Sequence, residues 1–204
     1  VDGDVSRPAT TQGSDPGNEE AYDYWDHLDH VLDRIHAYGF RAALVTYFVG
    51  WQGEGYKFLA PEKAHGYGRF LGQRYAEKPE IIWLLGGDNT PNTGEKKEAW
   101  NLVAKGIAEG IGGSEDYSKV LMTYHINGGA SSSQIFHDAQ WLDFNMAQTW
   151  DAYDQIYSMV RRDFEKAPPK PCGLGEGAYE DGPQYPTKPI NALVIRKQAN
   201  WSFF

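Results

Sequence analysis

The chain has 204 residues, with 19 Lys plus Arg against 28 Asp plus Glu and a formal net charge of −9. This length suits one domain able to bury a proper core, and the acidic balance argues against nucleic acid or an anionic membrane as partner, because phosphate recognition needs a basic surface. A single cysteine, Cys172, rules out an internal disulfide and a cysteine-based zinc site; no stretch reads as a signal peptide or as a membrane span of about 18 apolar residues.

Val1 to Gly17 is polar and rich in Gly, Pro, Asp and Thr, which predicts a loop or extended arm. Asn18 is placed to cap a helix whose apolar stripe is Ala21, Trp25, Leu28, Val31, Leu32 and Ile35, with Gly39 as its stop. Ala42 to Phe48 then predicts a buried strand, and its exit loop carries Trp51, Gln52 and Glu54. Pro61 fits the first turn of a second helix, with Ala64, Tyr67, Phe70, Leu71 and Tyr75 facing inward. The run Ile81-Ile82-Trp83-Leu84-Leu85 predicts a strand buried on both faces, ending in Gly86-Gly87-Asp88-Asn89.

A helix from about Glu95 to Ile111 follows, stopped by Gly112-Gly113. Val120 to Tyr124 predicts a short strand leaving through His125, then a loop at Ser131-Ser132-Ser133. Leu142 to Gln148 predicts another strand, Tyr153 to Phe164 a helix, Pro171 to Glu176 the last strand, and about Ile190 to Phe204 a final helix. Five strands alternating with helices predict βαβ units and a parallel α/β sheet. Two architectures fit, an open five-stranded sheet or part of an eight-stranded barrel. The favoured expectation is an incomplete (β/α)8 TIM-type barrel, one partial catalytic domain over residues 1–204 that lacks its first two strands and its last.

In such sheets chemistry sits at the carboxyl ends of the strands. Asp88 and Glu176 each end a strand in a glycine-rich setting, and paired carboxylates across such a mouth are the equipment of glycoside hydrolysis. For either acid alone, a helix cap or ion pair is the simpler reading. Two such acids tilt the odds to catalysis. His125 at a third strand end fits a sugar hydroxyl, a metal or a loop cap. No HxH or HxxxH spacing supports a metal site, and His27 and His30 read as solvated helix residues. Seven Trp and thirteen Tyr lean towards carbohydrate, whose ring faces stack on aromatics. Trp51, Trp141 and Trp150 are therefore platform candidates, core packing being about as common a fate. Asn89 and Gln148 suit substrate hydroxyls, with surface amides as the bland alternative. Glu180 lies past the strand end and ranks behind Glu176, and Cys172 reads as inert packing. There is no GxGxxG, Walker A or GxSxG pattern.

Trp83-Leu84-Leu85-Gly86-Gly87-Asp88-Asn89, Thr123-Tyr124-His125 with Ser131-Ser132-Ser133, Gly175-Glu176-Gly177-Ala178-Tyr179-Glu180 and Arg196-Lys197-Gln198-Ala199-Asn200-Trp201 occur in that order. Together they resemble the apiosidase-like glycoside hydrolases, (β/α)8 barrels related to the cellulase-like barrels, over most of the chain. The resemblance implies that Asp88 ends barrel strand four as acid/base and that Glu176 ends strand seven as nucleophile of a retaining glycosidase. It also implies that His125 ends strand five and helps to bind substrate; Asn89, Trp51, Gln148, Trp150 and Tyr179 are the further substrate-binding candidates. The implied substrate is a plant-type or other branched oligo- or polysaccharide, with no cofactor and no metal, and the implied location is secreted or periplasmic. Two rivals remain at this point, a non-catalytic carbohydrate-binding barrel fragment and a metal-dependent barrel hydrolase or isomerase. Oligomeric state, sugar and linkage are not legible.

Overall fold

The computed structural model describes residues 24–182 and 189–203. The expected arm, the Asn18 cap and the Ala21 contact lie outside them. The chain divides into two compact units, one comprising Val1–Thr46, Gly55–Trp83 and Asn92–Leu121, the other Tyr47–Glu54, Leu84–Pro91 and Met122–Phe204.

In the first unit, α1 (Tyr24–Ala37) turns Trp25 and Leu32 inward but leaves Val31 exposed. Gly39, at φ 77°, takes the left-handed turn that lets the chain leave this helix. β1 (Ala42–Val45) is shorter than its apolar run suggested, and only Ala42 of it is buried. An unbroken apolar run does not reveal which faces are covered, and the expectation of a fully buried strand to Phe48 fails here. α2 (Pro61–Arg74) starts on Pro61 as expected and buries Ala64, Tyr67 and Leu71, while Phe70 meets Trp25 edge-on at 4.9 Å. α3 (Gly94–Gly112) is capped by Thr93, which accepts from the Lys96 amide, and closed by Gly113 at φ 77°. It packs on α2 with almost no space between the backbones. A Cβ on Gly68 would stand 2.2 Å from the Val103 carbonyl oxygen, and one on Gly106 would stand 2.3 Å from that of His65.

β2 (Ile81–Gly86) buries Ile81, Trp83 and Leu85 but only partly covers Ile82 and Leu84, so the expected burial on both faces is met on one face only. The second unit takes over at Leu84 and continues through β3 (Leu121–His125), β4 (Ala130–Ser131), α4 (Ser133–Phe136), β5 (Asn145–Gln148), α5 (Ile156–Phe164), β6 (Cys172–Glu176) and α6 (Ala192–Trp201). Hydrogen bonding orders the strands β1-β2-β3 and β4-β5-β6. β5 and β6 are parallel, with Asn145 opposite Cys172, and a register shift after Ala147 sets Gln148 opposite Glu176. Such an irregularity at a strand end re-aims a side chain.

Three expectations need correction. The serine loop contains β4, a two-residue strand antiparallel to β5, formed because Gly129 at φ 78° turns the chain back on itself. The five expected strands, all parallel, thus become six among the described residues. β5 begins at Asn145 instead of Leu142, because Leu142 closes a turn onto the Ala139 carbonyl. β6 is only partly covered along its length and is not a fully buried strand. Beneath these strands Ala147, Ile156, Met159 and Val160 form a core joined by Cys172 and Leu174. A second polar core lies under the serine loop, where Ser131 and Ser133 donate to the buried Asp163 of α5, the latter over 2.5 Å.

Candidate active site

The site lies wholly in the second unit and is built from the ends of β2, β3, β5 and β6. After β2 the chain passes through three successive left-handed residues, Gly86 at φ 94°, Gly87 at φ 125° and Asp88 at φ 51°. The glycines are dictated by space as well as by φ. A Cβ on Gly86 would stand 2.5 Å from the His125 carbonyl oxygen, and one on Gly87 would stand 2.8 Å from the Phe48 ring. Asp88 has no such freedom. A non-glycine residue held in that region stores strain, which structures tolerate chiefly where a side chain must be aimed.

The Asp88 carboxylate accepts from Gln148 Nε2 at 2.7 Å. The Asp88 backbone amide donates to His125 Nδ1 at 3.3 Å, and His125 Nε2 lies 2.9 Å from Glu176 Oε2. Tyr179 donates to the other oxygen, Oε1, of Glu176. Oxygens of Asp88 and Glu176 and a nitrogen of His125 all lie within 4.8 Å of one another. Burial is graded: the His125 side chain is 11% exposed, Glu176 21% and Asp88 32%, so the imidazole is the most enclosed of the three.

Asn89 and Gln148, for which surface amides were the alternative, are 7% and 4% exposed. Asn89 Nδ2 donates to the carbonyls of Gly50 at 3.2 Å and Trp51 at 3.4 Å, and the Asn89 carbonyl accepts from the Tyr124 hydroxyl at 3.1 Å. Each amide keeps one buried oxygen, Asn89 Oδ1 and Gln148 Oε1, with no hydrogen-bond partner among the described residues. A buried orphan acceptor costs about 1–3 kcal/mol.

The aromatic candidates separate. Trp51 is 74% exposed and Trp150 43%, whereas Trp141 is buried against Phe136. Trp150 is held at φ 46° with its side chain against Gly128, where a Cβ would meet it at 2.5 Å. Glu180 is exposed and makes no part of the cluster, and His27 and His30 are exposed on α1. One residue that the sequence reading quoted but gave no role is Gln198 of α6. Its buried Oε1 accepts from Thr149 Oγ1 at 2.7 Å and from the Ala178 amide at 3.0 Å, tying the exits of β5 and β6 together. Its position inside Arg196 to Trp201 was the only available signal.

Asp88, His125 and Glu176 are also the one set among the described residues whose spacing suits a metal ion. A backbone N–H can only donate, so the Asp88 amide makes His125 Nδ1 an acceptor and leaves the ring proton on Nε2, between the ring and Glu176. A metal at Nε2 would have to displace that proton.

An α/β arrangement with parallel strands, two acids and two amides at the strand ends is of the TIM-barrel type that glycoside hydrolases use. The chain belongs to the apiosidase-like family, whose catalytic-domain model matches residues 2–204. A solved glycoside hydrolase family 5 structure from Bacteroides vulgatus ATCC 8482 is 28% identical with a TM-score of 0.79, covering 94% of this chain and 43% of its own. A second solved structure, described as a glycoside hydrolase, is 25% identical with a TM-score of 0.78, covering 94% of this chain and 45% of its own. The chain thus spans less than half the length of these two solved relatives. The comparison with curated proteins finds no match.

Proposed function

We propose that this chain carries the catalytic pair of a retaining glycosidase, with Asp88 as acid/base and Glu176 as nucleophile, acting on a plant-type or other branched oligo- or polysaccharide. The observation that carries the reading is the approach of one Asp88 oxygen to within 4.8 Å of one Glu176 oxygen. Retaining pairs stand about 5–5.5 Å apart, whereas an inverting pair needs roughly 6.5–9.5 Å to admit a water. In this reading a Glu176 oxygen attacks the anomeric carbon as the glycosidic C–O bond breaks. The bonding pair goes to the leaving oxygen, which takes the proton of Asp88. Asp88, now a carboxylate, then removes a proton from water. That water attacks the same carbon, and Glu176 is released.

The surroundings support these roles. Glu176 faces two donors, His125 and Tyr179, which fix the plane of its carboxylate. The Gln148 amide donates to Asp88, and the exposed side chains of Trp51 and Trp150 offer stacking surfaces. Glycoside hydrolase relatives make the class of reaction the natural one. A metal-dependent reaction is the second reading, motivated by the convergence of Asp88, His125 and Glu176; it requires activity to fall with chelator and return with the ion.

The test is release of reducing sugar from a panel of plant polysaccharides and aryl glycosides by the parent chain, Asp88→Asn and Glu176→Gln. Asparagine tolerates the left-handed backbone at position 88, so the first variant removes the acid without adding strain. Hydrolysis by the parent that collapses in both variants supports the pair. Hydrolysis that survives both overturns it, and sugar binding without hydrolysis would favour the non-catalytic alternative.

A further inference from the structure

We infer that His125 is a positioning residue for the nucleophile and does not bind the substrate. The inference rests on the proposed roles of Asp88 and Glu176 and deepens them. Both ring nitrogens are engaged inside the pair: Nδ1 accepts the Asp88 backbone N–H at 3.3 Å, and Nε2 meets Glu176 Oε2 at 2.9 Å. No nitrogen is left for a sugar hydroxyl. The ring is the most buried member of the cluster.

The physical consequence is a relay of geometry. The Asp88 amide can only donate, so it dictates the Nε2–H tautomer, and that tautomer presents Glu176 with a donor. The loop that aims the amide is the left-handed run Gly86, Gly87 and Asp88, and the Gly87 amide is itself anchored on the His125 carbonyl at 3.0 Å. His125 is therefore gripped at its backbone and at both ring nitrogens by the two strand ends it joins. Without it, Tyr179 alone would hold one oxygen of Glu176, and the carboxylate would be free to turn about its terminal torsion, which is broad for glutamate.

Two replacements separate the two halves of the ring. Asparagine places an oxygen near the Nδ1 position and can still accept the Asp88 amide, but it does not reach Glu176. Glutamine places an amide nitrogen near the Nε2 position and restores the donor. On a substrate identified from the panel, His125→Asn is expected to lower kcat about 10- to 100-fold with KM within about twofold, the signature of lost transition-state geometry, and His125→Gln to recover part of kcat. A rise in KM with kcat unchanged in both variants would assign His125 to the substrate and overturn the inference.

A measurement on the resting protein decides the matter independently of hydrolysis. With 15N-labelled histidine in the full chain, long-range 15N–1H correlation spectra report the tautomer of each of the six histidines. His125 is assigned as the signal absent from His125→Gln or, if that variant does not fold, from His125→Asn. Protonated Nε2, bare Nδ1 and an Nε2 proton shifted by Glu176→Gln are expected. An Nδ1–H tautomer, or no histidine signal that responds to Glu176→Gln, would overturn the positioning role. Should the chain hydrolyse nothing on the panel, the glycosidase reading fails, and this spectrum still reports whether His125 holds Glu176.

Discussion

Gln148 Nε2 donates to Asp88 Oδ1 over 2.7 Å, while Oε1 of the same amide is buried without a partner among the described residues. This side chain thus orients the proposed acid. Gln148→Leu keeps much of the volume and removes that hydrogen bond. Asp88 is protonated in the step that kcat/KM reports, and a hydrogen bond between neutral groups contributes about 0.5–1.5 kcal/mol, so kcat/KM is expected to fall roughly 2- to 10-fold. Steady-state kinetics on an aryl glycoside from the panel check this, with unfolding curves to show that stability has not fallen in parallel. Unchanged kcat/KM would remove Gln148 from the site.

The packing of α2 on α3 makes a stability prediction within the first unit. A Cβ on Gly106 would stand 2.3 Å from the His65 carbonyl oxygen and 2.6 Å from the Arg69 amide, both backbone atoms that cannot swing away. Alanine improves helix propensity by about 0.8–1.0 kcal/mol, but overpacking costs about 1–3 kcal/mol. The clash is expected to win, and Gly106→Ala should lower the urea midpoint. Gly94→Ala is the control, because a Cβ there meets nothing within 4 Å. Equal midpoints for the two variants would show that the helices part without cost.

Cys172 makes a prediction about reactivity. Burial pushes its thiol above the ordinary range, and the charge of Asp163 adds to the effect; its sulfur also lies 3.5 Å from the Val160 carbonyl. A raised thiol pKa means less thiolate at any given pH, and the thiolate is the reactive form. Labelling by a disulfide reagent at pH 8 should therefore be slow in the folded chain and fast after denaturation. Folded-state labelling as fast as that of the denatured chain would contradict the packing described around β6.

Much of the site was legible because strand ends announce themselves. The apolar run from Ile81 to Leu85, broken by two glycines and an acid, admits few other readings, and Gly175-Glu176-Gly177 repeats the pattern. What the sequence does not carry is which face of a run is covered. Phe48 and Val45 look like core and are 60% and 39% exposed. Nor does it carry contacts made by distant elements. Gln198 looks like any helix-surface amide, yet it is buried between the exits of β5 and β6. His125 was placed at the correct strand end and matched to a substrate. Its ring contacts depend on the Asp88 amide, 37 residues away, and on Glu176, neither of which the local sequence displays.

The stereochemistry of the first product tests the central claim most directly. With a substrate cleaved by the parent chain, 1H NMR taken early in the reaction distinguishes the anomer released before it mutarotates. With one oxygen of each acid within 4.8 Å of the other, the proposed retaining mechanism keeps the anomer of the substrate. Release of the opposite anomer would make Glu176 a base instead of a nucleophile and would contradict the two-step mechanism.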